Sequence, residues 1–193
     1  MKKTQLVLKK IESLRDIRFR DFQRFREYLD LADGNESALS YKILNIFYGI
    51  TKEVADRLTV EQFDLLTSDL ITVLQSEPDF SNVLEMNGIK YGFVPVFEDI
   101  KAGELIDLDA LLVTNDFVSI MSILYRPIIG DINKDGQYRI EEYKGYDDRF
   151  KDISAYEVNG MMNFFMKSFL ALNQSILIST EVEKRMNLKE TKE

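Results

Sequence analysis

The chain predicts a mainly α fold of the α+β kind: a helical domain with one or two small β-hairpins, closed by a long C-terminal helix. Three observations carry this. Apolar residues recur at three- and four-residue spacing over most of the 193 residues. Two capping-box patterns, Thr59 with Gln62 and Ser154 with Glu157, mark helix starts. Asn87-Gly88 lies between two apolar runs, the strongest short hairpin signal. We read a single domain over 1–193: a helical part at 1–78, a hairpin-containing middle at 79–150, and the last helix with its tail at 151–193.

In chain order, QLVLKKI (Gln5 to Ile11) is apolar enough for a short strand. In IRFRDFQRFREYLDLA, Phe22, Phe25, Tyr28 and Leu29 share a helix face, with Arg20, Arg24 and Glu27 opposite. Ala32 to Ser37 is a turn cluster. Leu39, Ile43, Ile46 and Phe47 mark the next helix, ended by Gly49. Thr51 opens a short helix. Thr59 opens a longer one, striped by Phe63, Leu66, Leu70, Val73 and Leu74, with Pro78 closing the helical part.

After the Asn87-Gly88 hairpin, Pro95 limits the second strand. IKAGELIDLDALL reads as a loop and a short helix. Thr114, Asn115 or Asp116 caps FVSIMSILYR, a helix that stops at Pro127. The last helix presents Val158, Met161, Phe165, Phe169, Leu172 and Ile176, widened by Phe164 and Leu170; so broad an apolar arc needs burial on several sides.

Composition narrows the chemistry. The chain has no histidine and no cysteine, which removes the commonest general base, the commonest transition-metal ligand and all thiolate chemistry. A reducing compartment fits this usage. No phosphate-binding glycine loop and no Ser-x-x-Lys pair occurs. Carboxylate pairs such as Asp107 with Asp109 and Asp147 with Asp148 read as solvated acid in an acidic protein. The reading is therefore non-enzymatic, with no cofactor required.

The start, MKKTQLVLKKIESL, lacks the apolar core of a secretory signal. Met161 to Ile178 is apolar, but Asn163, Lys167, Asn173 and Gln174 argue against a membrane span.

Charge is uneven. Residues 1–26 hold nine Lys/Arg and three Asp/Glu, a net of +6, within a chain of net charge −8. An acidic body argues against nucleic acid as a partner. Arg18, Arg20, Arg24 and Arg26, interleaved with phenylalanines that read as core, are candidates for an electrostatic protein contact. Arg126, at a helix end beside a hairpin, suits either a carboxylate such as Glu104 or Asp107 or a partner subunit.

One segment leaves two readings open. GDINKDGQYRIEEY has the ligand spacing of an EF-hand loop. Asp131, Asn133, Asp135 and Glu142 would offer side-chain oxygens to Ca²⁺, and Gln137 its carbonyl. The flanks favour a hairpin: Pro127 to Gly130 reads as extended, Tyr138 to Glu141 alternates with period two, and Gly145 interrupts an exiting helix. The hairpin explains both flanks; calcium explains the loop alone.

The segments GIKYGFVPVFEDIKAGELIDLDALL, IMSILYRPI, YRIEEYKGYDDRFKDIS and GMMNFFMKSFLAL together resemble a group of poorly characterised tailed-bacteriophage proteins. The resemblance runs from about Phe47 to Leu172, and its most specific piece is Leu124-Tyr125-Arg126-Pro127-Ile128. It implies a structural or assembly role in the tail or neck, including tail-assembly-chaperone-like proteins. Other phage structural proteins and further copies of the chain would be partners, in the virion or in the host cytoplasm during assembly. It brings no catalytic residues.

Overall fold

A computed structural model describes residues 8–31, 36–94, 100–165 and 167. The fold is mainly helical, with a small four-stranded antiparallel sheet. A 3₁₀ turn at Leu14–Asp16 leads into α1 (Phe19–Leu31), α2 (Glu36–Tyr48), α3 (Lys52–Ala55) and α4 (Val60–Leu74). Strands β1 (Val83–Met86) and β2 (Ile89–Phe93) follow, then α5 (Ala102–Thr114), α6 (Phe117–Leu124), β3 (Tyr125–Ile129) and β4 (Arg139–Ile140). A last helix, α7, occupies 155–165.

Local signals translate into local structure. Thr59 and Gln62 exchange both capping-box bonds at the start of α4. Gly49, at φ +67, turns the chain out of α2 and bonds back to Asn45. Asn87 and Gly88 take φ +53 and +75, the two positive angles of a type I′ turn, whose twist matches that of β1 and β2.

The two hairpins join. β2 pairs with β3, so the sheet runs β1-β2-β3-β4. Val94 N–H bonds to the Leu124 carbonyl at 2.9 Å. By the alternation of an antiparallel ladder, Tyr91 and Pro127 then face each other as a non-bonded pair. Pro127 thus needs no N–H toward β2. Toward β4 its carbonyl accepts from Glu141 at 2.9 Å, and the missing return bond ends that ladder after two residue pairs.

Side chains lock the sheet to its surroundings. Tyr138 lies over Gly92, where a methyl group would come within 2.2 Å of the Tyr138 ring. The Tyr138 hydroxyl lies 2.9 Å from the Phe93 carbonyl and 3.0 Å from that of Asn82. Tyr125, fully buried, donates to the Ser81 carbonyl at 2.6 Å. Phe80, Phe93 and Phe164 pack face and edge at 4.0 to 5.8 Å, tying the pre-sheet segment and β2 to α7. One core cluster runs from Ile11 through α1, the sheet and α6 to Met161; a smaller one gathers Leu44, Ile50 and Ala55.

Several expectations change. The strand expected at Gln5–Ile11 is absent from its described part, where residues 8–11 are irregular although Ile11 is buried; Gln5 to Val7 lie outside the described residues. The turn cluster gives way at Glu36, where α2 begins, and residues 32–35 lie outside the described set. Leu29 sits at the exposed margin of α1 while Phe22 and Phe25 are buried. The expected short helix in IKAGELIDLDALL is a full 13 residues. α6, capped by Asp116 through Ser119 N–H, ends at Leu124, before Pro127; Tyr125 to Ile129 is strand. At the start of α7 the Ser154 hydroxyl donates to the Glu157 carboxylate. Phe169, Leu170, Leu172, Ile176 and the tail lie outside the described residues. Among the described residues no helix is long and apolar enough to cross a membrane.

Gly160 in α7 sits against the chain before β1: a methyl there would lie 2.5 Å from the Asp79 carbonyl oxygen. Gly→Ala within a helix ordinarily stabilises by about 1 kcal/mol. Gly160→Ala is expected instead to cost about 1–3 kcal/mol in urea unfolding, because backbone must move. A stabilised variant would show that Asp79 is not seated there.

Candidate functional site

Helix α5 brings together the polar and apolar features with most to say about function. Its inward face is Glu104, Leu108 and Leu111, one side of the helix at four- and three-residue spacing, all buried. Glu104 lies in the first turn, where a carboxylate complements the helix N-terminus. The far end closes tightly. Asn115 takes φ +55, and the N–H groups of Asn115 and Asp116 return to Leu112 and Leu111. Asp116 then caps α6, so one short corner ends one helix and starts the next.

The Glu104 carboxylate meets Arg126 of β3, Oε1 to Nη1 at 3.1 Å, with side chains only 3% and 11% exposed. Of the two roles open to Arg126, the structure places it in this internal pair. Asp107, the other acid considered, instead accepts from the Tyr143 hydroxyl at 2.6 Å. Burial, and then that bond, push the Tyr143 phenol well above its ordinary range. Two polar contacts on successive turns thus hold α5 to β3 and to the chain after β4. Glu104 Oε2 and Arg126 Nε have no hydrogen-bond partner among the described residues.

With that side fixed, α5 turns a second apolar face to solvent. Leu105 and Leu112 are exposed, Ile106 is 67% exposed and Val113 84%; Ala110 continues the face and Asp109 is its lone charge. The sequence does carry a signal for this. Leu105, Ile106, Leu108, Leu111, Leu112 and Val113 do not fit one stripe, and a helix apolar on both sides expects cover on both.

The N-terminal arginines are exposed and partly compensated. Arg18 and Arg20 each reach Asp152 at 4.0 Å, and Arg24 reaches Asp21 at 3.7 Å. Arg26 has no ion pair among the described residues and edges a groove with Glu77 and Asn159. Arg15, absent from the sequence candidates, is the most engaged. It pairs with Glu157 and stacks over Tyr156, its guanidinium carbon 3.7 Å from the ring centroid. The backbone fixes this meeting: Phe19 N–H bonds to Ile153, and Ala155 N–H to Ile17.

At the acidic loop, β3 enters and β4 leaves, so both flanks are those of a hairpin. Asn133 organises it: its Oδ1 accepts from Asp135 and Gln137 N–H at 3.0 and 2.8 Å, and its amide reaches the Gln137 side chain. Asp131 and Glu142 flank the turn, and among the described residues no group of three acidic side chains is gathered to hold a metal ion.

Searches against protein-family models, curated proteins and solved structures found no match to the chain.

Breaking a buried ion pair on one side strands a charge and costs about 3–5 kcal/mol. Glu104→Leu and Arg126→Met should each lose about that in urea unfolding, and the double variant less than either single change. Additive losses would mean that the two groups do not interact. Glu157 gives a pH test. Burial raises its carboxyl pKa despite the Arg15 charge. A raised folded pKa contributes stability below the unfolded pKa that is lost as pH rises through the folded value. Relative to Glu157→Gln, the wild type should therefore be more favoured at pH 4 than at pH 8, measured by denaturant midpoints at both.

Proposed function

We propose that this protein is a non-enzymatic structural or assembly component of a tailed bacteriophage, acting in the tail or neck module through protein–protein contacts. The observation that carries the reading is the outer face of α5. Four large apolar side chains are exposed on a helix of 13 residues, about 20 Å long. Contiguous exposed apolar area of this kind marks surfaces that meet another macromolecule. The inner side of the same helix is anchored by a buried ion pair, so the face is presented on a fixed support.

The residue inventory agrees. A chain without histidine or cysteine has few groups able to move protons or attack substrates near neutral pH. The phage-like segments of the sequence supply the setting: the motif Leu124 to Ile128 contains Arg126, which holds α5, and GELIDLDALL is α5 itself. Further copies of the chain, and other structural proteins of the particle, are the partners this reading names.

Ile106→Asp with Val113→Asp should leave the unfolding transition within about 1 kcal/mol, since both sites are exposed. The same pair should abolish any oligomer or co-purifying complex measured by light scattering. Mass spectrometry of purified particles should find the polypeptide at fixed copy number, or find it in assembly intermediates. A strictly monomeric wild type with no partner in infected-cell extracts would sink the proposal.

A further inference from the structure

A second surface, formed by α2, α3 and α4, has a different character. Between α2, α3 and α4 lies an open concavity of about 470 Å³, lined by Tyr41, Ala55, Asp56, Leu58, Phe63 and Asp64. Its floor belongs to the smaller core: Tyr41, Leu58 and Phe63 pack against Leu44, Ile50 and Ala55. Tyr41 and Phe63 meet edge to face at 5.3 Å. Val60, 77% exposed, is part of the concavity's rim.

The charge around it is one-sided. Residues 51–69, which carry α3 and most of α4, hold two Lys/Arg against five Asp/Glu. The solvent-facing stripe of α4 is Glu61, Asp64, Leu65, Ser68, Asp69 and Thr72, and α4 has no basic residue. Glu61, Asp64 and Asp69 form no ion pair among the described residues. Nothing in the site resembles a metal centre, since no three acidic groups converge among the described residues.

The chain itself shows what one wall accepts. Lys52 Nζ lies 2.8 Å from Asp56 and 4.8 Å from the centroid of the Tyr41 ring. The Tyr41 hydroxyl donates to the other Asp56 oxygen at 2.6 Å. An aromatic face and a carboxylate, aligned by each other, hold an ammonium group. The neighbouring carboxylates Glu61 and Asp64 have no such cation.

We propose that this concavity docks a basic peptide segment of another protein chain, one apolar side chain entering over Leu58 and Phe63 while flanking Lys or Arg residues meet Glu61 and Asp64. Complementary charge selects the partner, and the apolar floor selects its anchor. A small molecule fits poorly: the hollow is open to solvent, and a peptide lying across it covers the exposed Val60 as well as the apolar floor. The surface shares no residue with the outer face of α5, so it stands whether or not that face proves to be an assembly contact.

The probe is the peptide acetyl-Lys-Lys-Leu-Lys-Lys-amide, with Leu replaced by Ser as comparator, titrated into the full chain while backbone amide shifts are followed. Expected are shifts concentrated at residues 41 and 52–65, and weaker binding of the Ser peptide. Glu61→Gln with Asp64→Asn should weaken binding about five- to tenfold, as loss of two rim charge pairs predicts. Glu141→Gln with Glu142→Gln, the same charge change at a distance, should leave it unchanged. Equal weakening by both variants, or equal binding of both peptides, would reduce the effect to diffuse attraction and overturn the proposal. Tighter peptide binding by Lys2→Gln with Lys3→Gln would name the chain's own N-terminus as occupant and overturn it too.

Discussion

Everything that α5 does for this molecule rests on the contact between Glu104 and Arg126. Two opposite charges have been taken almost completely out of water to join a helix to the third strand of a small sheet. Such a pair adds little net stability, since desolvation cancels much of the attraction. What it adds is an address. Leu108 and Leu111 are satisfied by many rotations of α5 against an apolar neighbour, whereas a carboxylate that must meet one guanidinium permits one. The Tyr143–Asp107 bond repeats the constraint one turn on. The orientation so fixed is what leaves Ile106 and Val113 facing outward.

The distribution of charge looks different folded than linear. The first 26 residues are strongly basic, yet the fold spends much of that charge internally. Arg15 is committed to Glu157 and Tyr156, and Asp152 lies between Arg18 and Arg20. These longer, exposed contacts are weak enough to be exchanged for others. The acidic surface of α4 is less compensated, because no cation is carried on that helix. The surface field is therefore dominated by acid near α4, and by mixed charge near α1.

What was legible in the sequence was what neighbouring residues decide among themselves. A Thr three residues before Gln, an Asn-Gly pair and a glycine after a helical stripe each specify a hydrogen bond or a positive φ within a few residues, and each appears as read. Helix class follows for the same reason. For Arg126 the sequence leaves a carboxylate such as Glu104 or Asp107 and a partner subunit all open, because spacing alone separates none of them; the fold brings it to Glu104. Less was legible where distant segments decide. The pairing of β2 with β3 lets Pro127 sit inside a sheet and moves the end of α6 back to Leu124. Tyr138 covers Gly92 from 46 positions away, a distance no periodicity reports. IKAGELIDLDALL reads as a loop and a short helix, and its outer face goes unread, because apolar residues on both sides blur the helical period.

One junction has a mechanical consequence. α6 passes into β3 at a single peptide bond, Leu124 to Tyr125, with no residue between them. Tyr125 is wedged in the core and tethered to Ser81, and Leu124 is equally enclosed. A loop would absorb strain; this join has no slack. Load applied along the sheet passes straight into the helix, and the two elements yield together or not at all, which is how a stiff coupling behaves and a hinge does not.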